Sequence, residues 1–137
     1  MYKRFLSNLF TKGIKSTRRC REVIKTVLSS HLLALCKSSY EKCFIYELLQ
    51  AGIVAKSQVE LPINYKNILI DAGYRLDILL PNQLIIELKA VDKLQPIHSA
   101  QLLTYMKLTS ISSGLLINFN VKKLTDGVKR FNLLKGE

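Results

Sequence analysis

Two apolar runs, "YRLDILL" (74–80) and "LIIELKA" (84–90), flank the turn tripeptide Pro81-Asn82-Gln83. Runs this short and this apolar, joined by turn residues, predict a buried β-hairpin. Each nevertheless carries charge inside it: Asp77 in the first, Glu87 and Lys89 in the second. Side chains alternate along a strand, so Glu87 and Lys89 share one face and Ile86 and Leu88 the other. If the runs pair around the turn, Asp77 lies opposite Glu87 near the far end of the hairpin. An isolated buried charge costs several kcal/mol, so this arrangement requires compensation.

A bound divalent cation would provide it. Asp77, Glu87 and a backbone carbonyl, that of Leu88, are hard oxygen donors that suit Mg²⁺ or Mn²⁺, with waters completing the shell. Lys89 beside them can orient or polarise a water for attack on phosphorus. The bland alternative pairs Asp77 with Lys89 or Arg75 and leaves Glu87 as a satisfied edge residue. Downstream, "IHSAQLLTYMKLT" (97–109) predicts a helix on which His98, Gln101 and Tyr105 share a face. They are either partners of the charged cluster or the ordinary polar side of a half-exposed helix.

The rest of the chain predicts an α/β domain, a mixed sheet between helices. Apolar residues from Val23 to Leu35 fit helical spacing, giving a helix over about 17–35. A second helix is expected over about 38–51, with Tyr40, Cys43, Phe44 and Leu48 on one side and Gly52 as its stop. Residues 54–65 and 68–80 each predict an extended segment, with Pro62 marking an exposed edge and Gly73 a bend. "SGLLINF" (113–119) predicts a strand buried on both faces. "GVKRFNLL" (127–134) predicts a short last strand or a helix.

The chain has 137 residues, enough for one domain with a real core. No run approaches the ~20 apolar residues of a membrane span. Cys20, Cys36 and Cys43 are odd in number and form no CxxC pair, so neither a disulfide framework nor a zinc site is indicated. Reduced thiols in an intracellular compartment, cytoplasm or nucleoid, are expected. The net charge is +11, and residues 1–25 hold eight Lys or Arg against one acid. A basic arm over 1–17, followed by a domain over 18–137, predicts a polyanion partner, most simply DNA or RNA, with Arg18 and Arg19 on phosphate. The same composition also fits a mitochondrial or other organelle transit segment, or a solvated face.

These residues carry a family resemblance. Asp77, Glu87, Leu88 and Lys89 resemble the Asp…(Asp/Glu)-x-Lys core of the PD-(D/E)XK nuclease superfamily. Gln101-Leu-Leu-Thr-Tyr105 resembles the Gln-x-x-x-Tyr helix of its exonuclease-like branch. More narrowly, "YEKCFIYELLQAGI", "LPINYKN", "YRLDILL", "IIELKAV", "IHSAQLLTYMKLT" and "GLLINFNV" together resemble the small GxxExxY proteins, over residues 22–132. The resemblance implies a restriction-endonuclease-like core and a Mg²⁺- or Mn²⁺-dependent phosphodiesterase. In it Asp77, Glu87 and Lys89 are catalytic, and Arg75, His98, Gln101, Tyr105 and Lys37 contact nucleic acid. It also leaves open an impaired nucleic-acid-binding protein, a homodimer, or a subunit of a nucleoprotein complex. The GxxExxY motif itself is broken: ungapped, its glycine falls on Ala34 and its glutamate on Lys37. The first helix is therefore expected to lack a carboxylate at the site.

Overall fold

The computed structural model describes residues 36–71, 73–122 and 124–134. The basic arm, Arg18, Arg19 and the helix expected over 17–35 lie outside the described residues. Helix α1 (Lys37–Gln50) is followed by β1 (Lys56–Glu60), β2 (Ile63–Tyr65), β3 (Ile68–Ile70), β4 (Arg75–Leu80) and β5 (Leu84–Lys89). Helix α2 (Pro96–Thr109), β6 (Ser113–Asn118), a 3₁₀ turn (Leu124–Gly127) and β7 (Val128–Asn132) complete the order.

Five strands form one mixed sheet in the order β1-β4-β5-β6-β7, with β5 and β6 parallel and every other pair antiparallel. Because a parallel pair needs a crossover, α2 connects β5 to β6. The central strands are buried on both faces, which is why they read as continuous apolar runs.

Each face has its own core. On one side Tyr40, Phe44 and Leu48 of α1, spaced by four, pack with Ile78, Leu80, Ile86, Leu88, Leu115 and Ile117. The Tyr40 ring stacks on Phe119 with centroids 3.9 Å apart and planes 5° from parallel, fixing the start of α1 at the end of β6. On the other side Leu102, Tyr105 and Met106 of α2 pack with Leu76, Ile85 and Leu116. Gly114 lets α2 lie close on β6, since a Cβ there would come within 2.6 Å of the Met106 sulfur.

Two expectations change in detail. Residues 54–65 and 68–80 are not two long strands. The chain leaves the sheet after Glu60 at Leu61-Pro62, forms a separate β2–β3 hairpin, and returns at Arg75. Pro62 has no N–H to donate to a ladder. Gly73 adopts φ +69°, and Lys66 and Asn67 at the hairpin tip have φ +48° and +66°. The tail is resolved as a 3₁₀ turn and then a strand, β7.

Candidate active site

The β4–β5 ladder runs from Leu80↔Leu84 to Ile78↔Ile86 and no further. The next residues in that register are Asp77 and Glu87. There the side chains take over from the backbone. The Asp77 N–H donates to Glu87 Oε1 at 3.2 Å, and the Leu88 N–H donates to Asp77 Oδ2 at 2.9 Å. β5 meanwhile continues its parallel pairing with β6 as far as Lys89↔Asn118. The two carboxylates therefore sit in the fork where β4 parts from β5, only 4% and 2% exposed.

β1 and β4 are irregular at the same level. Ser57 pairs with Ile78 and Val59 with Leu76, but the pair between them, Gln58 and Asp77, is skipped. Gln58 has φ +51°, a sparsely populated conformation for a residue with a Cβ. Leu76 and Ile78, two apart in β4, consequently join opposite cores. The backbone is distorted where Asp77 must reach the cluster, as is common at functional sites.

Helix α1 brings two side chains to this point. Lys37 Nζ lies 3.0 Å from Asp77 Oδ1. Glu41, one turn later, is 8% exposed and accepts from Gln58 Nε2 with both oxygens at 2.9 Å. The same Gln58 Nε2 lies 3.4 Å from Asp77 Oδ1. As expected, Lys37 and not a carboxylate stands beside Asp77; the helix's acid Glu41 lies one turn on, with the Gln58 amide between it and Asp77. The sequence signal for this acid was present, because Glu41 lies on the stripe of Phe44 and Leu48 that faces the sheet. Gln58 carried no signal, being an ordinary polar alternate in β1.

On the α2 side a chain of contacts leads away from β5. Lys89 Nζ donates to Gln101 Oε1 at 3.0 Å, and Gln101 Nε2 donates to the Tyr105 hydroxyl at 2.7 Å. Burial, with a smaller contribution from the charges of Glu87 and Asp77, raises the Tyr105 pKa and keeps the phenol protonated. Tyr74 meets Tyr105 edge-on at 5.8 Å, and the two rings line a pocket with Ile97, Gln101 and Thr104.

Other expected residues are used differently. His98 Nδ1 accepts from the Gln95 N–H at 2.9 Å, closing a capping box at the head of α2. Arg75 pairs at the surface with Glu60 at 3.3 Å. Asp77 takes Lys37 as its ion-pair partner.

Glu87 records the charge balance. Burial first, and the charge of Asp77 second, push its pKa up to about 7 despite Lys89 and Lys37 nearby. Burial and the neighbouring carboxylate disfavour charge on Glu87, and the oxygens of the pair are hard donors, so a divalent cation suits their chemistry. Among the described residues no three Asp, Glu, His or Cys side chains converge on one point. Asp77 and Glu87 adjoin, with Glu41 held one amide away.

The family model of the PD-(D/E)XK nuclease superfamily matches residues 15–131. The chain belongs to that superfamily. The superfamily assignment accords with the mixed five-stranded sheet between helices. A solved structure, "Crystal structure of SSO0001", is similar at 20% identity, over 96% of this chain and 77% of that one, with a TM-score of 0.49. No curated protein matches. Among the described residues no helix is long and apolar enough to cross a membrane.

Proposed function

We propose that this member of the superfamily is a metal-dependent nuclease that hydrolyses phosphodiester bonds of DNA or RNA. The observation that carries the reading is the pair Asp77 and Glu87, buried in the β4–β5 fork with Lys89 two residues on. Asp77 and Glu87, with the Leu88 carbonyl, would hold Mg²⁺ or Mn²⁺. When bound, the ion supplies Lewis-acid stabilisation of charge on phosphate oxygens.

The chain's own residues do the rest. The Lys89 ammonium orients the attacking water and balances charge that develops on the phosphate. Gln101 fixes that ammonium through its Oε1 and is itself fixed by Tyr105, so the lysine enters the reaction already positioned. Basic residues around the site and in the arm, together with Arg18 and Arg19, attract the phosphate backbone. The motifs from "YEKCFIYELLQAGI" to "GLLINFNV" support placing the chain among the GxxExxY proteins, with the naming motif itself altered.

The Lys37–Asp77 ion pair favours a second reading, a nucleic-acid-binding subunit of the same fold without turnover. Incubating the protein with end-labelled single- and double-stranded DNA and RNA plus Mn²⁺ separates the two. Shortened products that vanish with chelator support the nuclease; salt-sensitive binding with intact strands supports the subunit.

A further inference from the structure

We propose that the Lys37 ammonium is the resident counter-cation of the carboxylate cluster, and that a divalent ion enters by displacing it while the Gln58 amide turns. This rests on the metal-site reading above.

The two oxygens of Asp77 are not equivalent. Oδ2 is committed to the Leu88 N–H at 2.9 Å. Among the described residues, Oδ1 faces two side-chain donors, Lys37 Nζ at 3.0 Å and Gln58 Nε2 at 3.4 Å. A cation binding Oδ1 must take the place of those donors. The two partners differ in freedom. The Lys37 side chain is 40% exposed and has solvent to swing into, whereas that of Asp77 is 6% exposed and is held. Lys37 stands on the first turn of α1, one turn before Glu41, so its long stem reaches the cluster from the rim.

Gln58 completes the device. Facing three carboxylate oxygens, its amide presents the NH₂ group, as hydrogen bonding dictates. Half a turn of the amide presents its carbonyl oxygen instead, a hard donor that suits a divalent ion. Its φ of +51° in mid-strand shows the backbone held where this side chain spans Glu41 and Asp77. One set of groups thus serves two states: ammonium and amide NH₂ without the ion, carboxylates and amide oxygen with it.

The test titrates Mn²⁺ into the full chain by calorimetry, comparing wild type with Lys37→Met, Lys37→Arg and Lys42→Met. Lys42 is an exposed lysine of the same helix. Lys37→Met is expected to bind Mn²⁺ at least tenfold more tightly than wild type. Lys37→Arg should stay near wild type, and Lys42→Met should change less than threefold. In chelator, Lys37→Met should melt below wild type, and saturating Mn²⁺ should close the gap. Equal Mn²⁺ affinities for wild type, Lys37→Met and Lys42→Met would overturn the proposal while leaving the metal site standing. No Mn²⁺ binding by any of the four proteins would remove the metal site and the proposal with it.

Discussion

Asp77 and Glu87 each satisfy the other's strand: the Asp77 N–H donates to Glu87, while the Asp77 carboxylate accepts from the N–H of the next residue, Leu88. Side chains here replace the ladder bonds that β4 and β5 stop making at Ile78↔Ile86. The charges are thereby part of the sheet's hydrogen bonding. Removing either one unpairs a buried backbone group as well as a candidate ligand.

The first prediction is a pH dependence of stability. The Glu87 pKa is raised from an ordinary 4.5 to about 7, so the folded protein holds that proton more tightly than the unfolded chain. Stability from this group is fully present below pH 4.5 and is lost as pH rises through 7. The whole loss is on the order of 3 kcal/mol. Urea unfolding in chelator from pH 4.5 to 8 should show a decline that Glu87→Gln flattens. A stability that rises over this window would contradict the charge balance described for the site.

A second prediction separates chemistry from packing on α2. Lys89→Ala should abolish cleavage. Tyr105→Phe keeps the ring in its core but removes the hydroxyl that steadies Gln101 at 2.7 Å. It should lower kcat by up to about tenfold, matching a loss near 1.4 kcal/mol of positioning. Melting temperature should move little, because the ring stays packed with Leu102 and Met106. If kcat is unchanged, the Tyr105 hydroxyl has no part in positioning Lys89.

Much of the sheet was legible in the sequence because apolar periodicity reports burial. Both "YRLDILL" and "LIIELKA" became central strands, and "IHSAQLLTYMKLT" became α2 nearly to the residue. The pairing of Asp77 with Glu87 followed from the turn between them. The β2–β3 excursion was hidden, since exposed Ile68, Leu69 and Ile70 imitate a buried strand. Glu41 was overlooked because spacing to the broken motif pointed at Lys37. Gln58 was invisible because its role comes from a backbone distortion that no residue type announces. His98 had a helix-capping use that its place beside Gln101 on the helix face concealed.

Close approaches in the core give a third prediction. A Cβ at Gly114 meets the Met106 sulfur, which sits on a side chain able to shift. A Cβ at Gly127 runs into the backbone carbonyl of Asn118, which has no comparable freedom. Gly114→Ala should cost about 1–2 kcal/mol and Gly127→Ala more, about 3 kcal/mol. Chemical denaturation of both variants gives the order, and a milder effect at Gly127 would mean that the 3₁₀ turn is free to move.

Asn118 supports the exit of β5. It is 2% exposed, accepts from the Val91 and Asn120 N–H groups at 3.1 and 3.2 Å, and donates to the Val91 carbonyl at 2.8 Å. Asn118→Leu strips these partners from nearby backbone groups and should cost about 2–4 kcal/mol. Calorimetric melting tests this, and a loss below 0.5 kcal/mol would show that water replaces the side chain.

In the proposed function, Asp77, Glu87 and Lys89 perform metal-dependent phosphodiester hydrolysis. The most direct measurement follows binding and cleavage together on one labelled oligonucleotide set with Mn²⁺, for wild type, Asp77→Asn and Lys89→Ala. Wild type should bind and cut, whereas both variants should bind within about threefold of wild type and leave the strands intact. Wild-type protein that binds these strands and never cuts them, or variants that cut as fast as wild type, would contradict the account.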